Sequence, residues 1–146
     1  MKFVWEFLLL LLFSGCTWFD PFTVHPITVG DIEFDPPTVQ TVGLSLPVLR
    51  GDENFNASVR VLYRQMGFVA WHEALPLQRV RRETLSRTVP SSFPIAEQFA
   101  GSIFNLESGA TYEVSLIVED PDGGTTTRTG WVSARQEPSE SRQPRG

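Results

Sequence analysis

The chain has 146 residues, of which 41% are hydrophobic and 20% charged, a composition that fits one globular domain and excludes a disordered chain. Its formal net charge of -5 argues against a nucleic-acid partner, because a phosphate-binding surface must be cationic. The 11 glycines and 11 prolines are typical of a fold made of short strands and many turns.

The first segment, residues 1–15, is predicted to be a signal peptide and not part of the fold. Lys2 is followed by an apolar run from Phe3 to Phe13 that only Glu6 interrupts. The run is too short to cross a bilayer, which takes about 20 residues, and it has the length of a signal-peptide hydrophobic region.

Cys16 follows this segment and is the only cysteine of the chain, so an intrachain disulfide is impossible. The sequence Phe13-Ser14-Gly15-Cys16 resembles the bacterial lipobox, in which small residues precede a cysteine that receives lipid and becomes the mature N-terminus. The resemblance implies a membrane partner through lipid on Cys16. Thr17 after the cysteine implies an outer-membrane lipoprotein that faces the periplasm or the exterior. The alternative is a secreted protein without lipid.

A predicted spacer at residues 16–30 leads into strands whose apolar side chains alternate. Residues 31–39 contain two adjacent prolines and are typical of an edge strand, because proline cannot donate a hydrogen bond to a central ladder. A short strand is predicted at residues 42–46, with Pro47 at its end. Residues 57–66 alternate over their whole length, which predicts a third strand.

The next part of the chain is expected to be less regular. Residues 71–80 are predicted to be an edge strand that Pro76 interrupts. Residues 81–97 lack strand periodicity and are predicted to be a long excursion between the sheets, with a short helical turn at residues 96–99.

The clearest strand pattern lies in residues 99–122, which predict two strands joined by a corner. Apolar residues at every second position from Tyr112 to Val118 point to one side of the second strand. Proline and glycine at residues 120–124 supply a hairpin turn, and residues 125–134 are predicted to be the last strand. About seven strands in one domain predict an all-β, immunoglobulin-like sandwich.

The start of this second strand carries a recognisable corner. Leu106, Gly109, Thr111 and Tyr112 resemble the tyrosine corner of fibronectin type III domains, with Ser108 where the family usually has proline. The resemblance implies that the tyrosine hydroxyl forms a hydrogen bond with backbone at the end of the sandwich.

Residues 31–135 as a whole resemble one fibronectin type III domain, of the kind that precedes right-handed parallel β-helix proteins, some of them polysaccharide lyases. The resemblance is carried by Gly51-Asp52, Asn54, Asn56, Val61, Tyr63-Arg64, Trp71, Ala74-Leu75-Pro76-Leu77, Phe99-Ala100-Gly101-Ser102 and Asp120-Pro121-Asp122-Gly123. Leu46 stands where the family has a core tryptophan, so we expect a smaller core there, with Trp71 or Trp131 compensating. Residues 136–146 are predicted to be a polar, disordered tail.

No catalytic constellation is found in the sequence, so we expect no enzyme activity unless a catalytic domain follows further along the protein. Neither His25 nor His72 has a serine, cysteine or carboxylate partner at a telling spacing. His72-Glu73 begins like the zinc motif H-E-x-x-H, but Pro76 stands in place of the second histidine. We therefore expect no cofactor and no metal.

One acidic stretch has part of a calcium-loop pattern. Asp52, Asn54 and Asn56 have the spacing that begins such a loop, but Ala57 and Tyr63 stand where it needs glycine and glutamate. This favours an Asx-rich turn whose side chains form hydrogen bonds with local backbone.

The one local excess of positive charge consists of four arginines, Arg79, Arg81, Arg82 and Arg87. With Trp71 they are the candidate ligand-binding residues, because guanidinium groups pair with carboxylates and phosphates. The alternative is a solvated loop near Glu73 and Glu83.

These patterns lead to two hypotheses about function. The first is a non-catalytic, lipid-anchored spacer or interaction module of the bacterial cell envelope, with a protein as its partner. The second is a carbohydrate-binding or accessory module that contacts an acidic polysaccharide for a polysaccharide-degrading protein. Exposure of Trp71 or Trp131 beside the arginines would favour the second hypothesis, and burial of both would favour the first.

Overall fold

The computed structural model describes residues 24–80 and 96–138, and within them it has nine β-strands and no helix. The signal segment, Cys16, Arg81, Arg82, Arg87 and the end of the tail lie outside the described residues. The strands are β1 (Thr28–Val29), β2 (Glu33–Phe34), β3 (Val42–Arg50), β4 (Ser58–Gln65), β5 (His72–Glu73), β6 (Gln78–Val80), β7 (Gln98–Ile103), β8 (Thr111–Asp120) and β9 (Gly124–Ser133).

The strands form two sheets, and every pair is antiparallel. The first sheet has the order β1-β3-β7-β6, with β2 also paired to β3, and the second has the order β5-β4-β8-β9. This confirms the predicted all-β fold, a fibronectin type III-like sandwich. β1 lies within the stretch assigned to the spacer, so the sandwich includes residues before position 31.

The core lies between the sheets and is built by alternation. On β8 the side chains of Tyr112, Val114, Leu116 and Val118 are buried, while the residues between them are more exposed. Leu46 on β3 is also fully buried. Each buried side chain of this size contributes about 1.5–3 kcal/mol through removal of apolar surface from water.

The tyrosine corner is present despite the serine. The hydroxyl of Tyr112 accepts a hydrogen bond from the backbone amide of Glu107 at 2.8 Å. The hydroxyl of Ser108 accepts from the amide of Glu137 at 2.8 Å, which fastens the chain after β9 to the corner. Gly109 has a φ of 73°, a conformation that side chains with a Cβ rarely adopt.

Three local predictions are wrong. Residues 71–80 are not one strand, because the chain leaves the second sheet after β5 and enters the first sheet as β6, with Pro76 between them. The helical turn predicted at residues 96–99 is absent, and Gln98–Ile103 is β7 instead. β3 does not end at Pro47 but continues to Arg50.

The two ends of the sandwich differ in their loops. At one end, which we call the entry end, the amide of Ile27 donates to Asp120 at 2.6 Å and the amide of His25 donates to Glu53 at 2.9 Å. At the opposite end, which we call the far end, the amide of Met66 donates to the carbonyl of Thr111 at 2.8 Å. Across residues 24–80 and 96–138, no helix is long and apolar enough to cross a membrane.

Candidate interaction surface

The loop that joins β4 to β5 is apolar and exposed. Gly67, with a φ of 91°, and a hydrogen bond from the Phe68 amide to the Gln65 carbonyl at 3.1 Å define a tight turn. The exposed fraction is 58% for Met66, 63% for Phe68 and 86% for Val69. A loop that only connected two strands would not need these side chains in water.

A row of four side chains crosses the outer face of the second sheet next to this loop. Arg64 on β4 lies opposite Glu113 on β8, and Glu113 lies opposite Trp131 on β9. Trp71 flanks the row on its other side, with the Arg64 guanidinium carbon 4.6 Å from the indole centroid. Cross-strand partners share a face of the sheet, so the row begins and ends with a tryptophan.

An ion pair holds the middle of this row together. Nε and Nη2 of Arg64 each lie 2.7 Å from Oε2 of Glu113, and both side chains are more buried than exposed. The guanidinium thus contacts a carboxylate and also the face of Trp71, and this cation–π contact favours the observed position of the indole. Trp71 is therefore an exposed side chain that is held in place by its contact with Arg64.

The exposed apolar side chains are concentrated in one place. Of the eight exposed large hydrophobic side chains among the described residues, five belong to the loop or the row. We call these five the apolar tip: Met66, Phe68, Val69, Trp71 and Trp131. Exposed apolar side chains grouped at one end of a domain are typical of sites of protein or membrane contact.

Paired charges border the apolar tip on the sheet. Nε of Arg60 lies 3.1 Å from Oε1 of Glu73, and this hydrogen bond raises the pKa of the Arg60 guanidinium. Beside the loop, the side-chain amide of Gln65 donates to the carboxylate of Glu107 at 3.2 Å. An apolar centre with a polar rim is the usual anatomy of a protein-binding surface.

Arg79, predicted as a ligand-binding residue, lies inside the entry end. Its guanidinium forms an ion pair with Asp52 at 3.1 Å, and the two side chains are 10% and 0% exposed. The contact is not an aligned hydrogen bond. The rings of Phe55 and Phe99 lie 5.5 and 5.0 Å from the guanidinium carbon. This arginine is therefore engaged in the fold and does not lie beside Trp71.

The predicted Asx-rich turn has the expected local hydrogen bonds. Oδ1 of Asp52 accepts from the amide of Ala57 at 3.0 Å, while Asn54 and Asn56 both donate to Oδ2 of Asp122, at 2.7 and 2.8 Å. The side-chain amides thus serve as donors to a carboxylate. No group of three or more histidine, cysteine, aspartate or glutamate residues is placed to hold a metal ion in the part of the chain that the structure describes.

A shallow cleft of about 390 Å³ at the entry end is lined in part by His25, Arg50 and Glu53. The backbone amide of His25 donates to the Glu53 carboxylate at 2.9 Å, which lowers the pKa of that carboxyl group. His25 and Glu53 partner each other and tie the incoming chain to the loop before β4.

The sequence analysis singled out Trp71 and Trp131 but not the rest of the surface. The prediction that one of them compensates for Leu46 in the core is wrong, since both are exposed. The sequence feature that indicates this surface is the stretch Met66–Trp71, which is apolar throughout although it contains a turn and does not alternate. The Arg64 and Glu113 pair depends on strand register, which the sequence does not state.

No protein-family model matches the sequence, and no curated protein matches it. The sensor domain of the anti-sigma factor RsgI4 of Pseudobacteroides cellulosolvens, in its short form, is similar with a TM-score of 0.49 and 12% identity, over 79% of this chain and 100% of that one. The fn3 domain of the human collagen alpha-1(XX) chain is similar with a TM-score of 0.47 and 18% identity, over 85% and 93%. The sheet order and the tyrosine corner are the features that make this chain a fibronectin type III-like sandwich.

Proposed function

We propose that the chain is a non-catalytic, lipid-anchored interaction module of the bacterial cell envelope. In this proposal lipid on Cys16 holds the protein at a membrane, and the sandwich presents the apolar tip to a partner. The observation that carries the proposal is the position of the apolar tip at the far end, opposite to the place where the chain enters the fold.

The direction of the chain supports this arrangement. Residues 25–27 contact Glu53, Asp120 and the turn at Gly123, all at the entry end. β8 runs from the far end to the entry end over 10 residues, which at about 3.4 Å per residue is about 30 Å. A tether that precedes His25 would therefore leave the apolar tip about 30 Å from the point of attachment.

The anchor is tested by intact-mass analysis of protein from the membrane fraction of cells that express the full chain. We expect a product that begins at Cys16 with added acyl mass, and a Cys16→Ala variant that lacks this mass and leaves the membrane fraction. An unmodified product in the soluble periplasmic fraction would contradict the anchor and favour the secreted alternative.

A second candidate function is carbohydrate binding, as an accessory module of a polysaccharide-degrading protein that carries a parallel β-helix domain. The exposure of Trp71 and Trp131, at 40% and 53%, favours it. The two residues stand three strand spacings apart, about 14 Å, and a sugar chain could stack on both. However, Arg64 already covers one face of Trp71 and its charge is paired with Glu113.

Affinity electrophoresis in gels that contain polygalacturonate tests this second function. Retarded migration that Trp131→Ala abolishes would support an acidic polysaccharide as the ligand. Equal migration of the protein in gels with and without the polysaccharide would argue against it, because binding to the immobile polymer must slow migration.

A further inference from the structure

We propose that the apolar tip inserts into an apolar pocket of a different envelope protein, one whose pocket rim is neutral or basic. This inference rests on the proposed function for the direction in which the tip points. Its other supports are the composition of the tip, its conformation and the charges around it.

The composition of the tip is that of an energetic centre of a protein interface. Aromatic residues, methionine and arginine are enriched at such centres, and a few buried anchors carry most of the affinity. Phe68 and Trp71 are aromatic anchors, Met66 is an adaptable apolar contact, and Arg64 lies next to them.

The tip is also preorganised. The turn at Gly67 closes with a backbone hydrogen bond, the Met66 amide is fixed to Thr111, and Arg64 stacks on Trp71. A surface that already has its bound conformation loses less conformational entropy on association. Rigid presentation of this kind suits insertion into a matching pocket.

The charges near the tip disfavour a lipid surface as the occupant. Loops that bind membranes combine apolar side chains with lysine and arginine, because many bilayers are anionic. The stretch Met66–Trp71 has no charged residue, and the whole chain has a net charge of -5. Arg64 is neutralised by Glu113, and Glu107 adds a negative charge at the edge. These charges fit a pocket whose rim is neutral or basic.

The direction of the tip disfavours an end-to-end contact with a second copy of this chain. Copies tethered to one membrane at their entry ends point their far ends the same way, so two tips cannot meet end to end. An end-to-end isologous contact would require one copy to turn over on its tether. A different protein that reaches the far end has no such restriction.

Photo-crosslinking in cells tests the inference, with p-benzoylphenylalanine at position 69 of the full chain. Val69 is the most exposed side chain of the tip, at 86%. Position 53 at the entry end is the matched control site, since the Glu53 side chain is 52% exposed. We expect one discrete protein adduct from position 69 and none from position 53, with the crosslinked partner peptide identified by mass spectrometry.

The identified partner is then purified and its affinity measured with two exposed apolar residues replaced in turn. Phe68→Ser should weaken binding at least tenfold, whereas Leu49→Ser should leave it unchanged. Leu49 is a fair control because it is 65% exposed, close to the 63% of Phe68, but belongs to the part of β3 near the entry end. Equal effects of the two substitutions would overturn the proposal.

Three other crosslinking outcomes would also overturn it: a lipid adduct, a homodimer adduct, or no adduct. The mass of the chain in the same samples separates this proposal from the anchor. An acylated chain without an adduct keeps the anchor and removes the docking surface. An adduct on a chain without acyl mass keeps the docking surface and removes the anchor.

Discussion

The two ends of the sandwich differ in which side chains they bury and which they expose. The entry end places charged groups inside the fold, where Asp52 is fully buried against Arg79 and Asp120 is buried against the amide of Ile27. The far end places apolar groups outside the fold, in the loop Met66–Trp71 and at Trp131. Buried charges are stable only when they are partnered, and exposed apolar side chains bring no stability in water.

This difference between the two ends distinguishes side chains that stabilise the fold from side chains that are available to a partner. The polar contacts of the entry end join the incoming chain, the loop before β4 and the turn between β8 and β9, so they explain how that end is held together. No comparable structural account exists for the apolar side chains of the far end. Binding of a partner that removes these side chains from water would explain why they are exposed in the free protein.

The largest expected effect comes from breaking the buried pair. Arg79→Met should lower the free energy of unfolding by about 3–5 kcal/mol, because the fully buried Asp52 is left without a counter-charge. The matched substitution at the far end, Arg64→Met, should cost about 1 kcal/mol or less, since that pair is partly exposed. Denaturant unfolding measures both.

A double variant sharpens this first result. Asp52→Asn combined with Arg79→Met should be more stable than Arg79→Met alone, because the remaining buried group is then neutral. Asparagine also tolerates the φ of 60° at this position and retains an acceptor for the Ala57 amide. Equal losses from Arg79→Met and Arg64→Met would contradict the contrast between the two ends.

The tyrosine corner is a polar contact that stabilises the far end, and its loss should have an intermediate effect on the free energy of unfolding. Tyr112→Phe should cost about 1–2 kcal/mol, because the partly buried amide of Glu107 loses its acceptor. Tyr63→Phe is the control, since its ring lies 6.1 Å from that of Tyr112 and no hydrogen bond from its hydroxyl is found within the described part of the chain. Thermal unfolding of the two variants should therefore differ, and equal midpoints would exclude a stabilising corner.

The apolar tip itself should contribute almost nothing to stability. Phe68→Ala should change the free energy of unfolding by no more than about 0.5 kcal/mol, as expected for an exposed site. Phe99→Ala, at a side chain that is 2% exposed, should cost about 3–5 kcal/mol. A large loss from Phe68→Ala in urea unfolding would mean that the loop supports the fold and is not reserved for a partner.

The smallest expected effect concerns pH at the entry end. The amide of His25 lowers the pKa of Glu53, so the contact stabilises the fold above the ordinary glutamate pKa. This contribution is lost as pH falls through the lowered pKa. An NMR titration should give a midpoint for Glu53 below its ordinary value. Glu53→Gln should remove this part of the pH dependence, and an unshifted midpoint would show that the contact does not persist in solution.

Much of the fold follows from the sequence because alternation directly reports which face of a strand is buried. The pattern from Tyr112 to Val118 predicts β8, and Leu106 with Tyr112 predicts the corner. The change of sheet near Pro76 was not predicted, since one interrupted edge strand and two short strands look alike in sequence.

The candidate surface was predicted only in part, because it depends on tertiary contacts. From the sequence, Arg79 is interpreted as one of four exposed arginines. In the structure it forms a buried ion pair with Asp52. From the sequence, Trp71 and Trp131 are interpreted as core residues. In the structure, strand register places Trp131 with Glu113 and Arg64 on the outer face, and Trp71 stacks on Arg64. Local sequence does not show which strands become neighbours, and strand pairing determines both the burial of Arg79 and the exposure of the two tryptophans.

The most direct test of the central claim is to measure the environment of the far end in the acylated, membrane-bound form that we propose. Of the four tryptophans, Trp5 precedes Cys16 and, in the acylated form that we propose, is removed with the predicted signal segment. In a Trp18→Phe variant, the remaining fluorescence comes from Trp71 and Trp131, both on the apolar tip. We predict strong quenching by aqueous acrylamide and none by brominated lipids in vesicles that carry the acylated protein. Quenching by the brominated lipids would show that the tip enters the bilayer, and would contradict the account of a sandwich that holds its apolar surface away from the membrane.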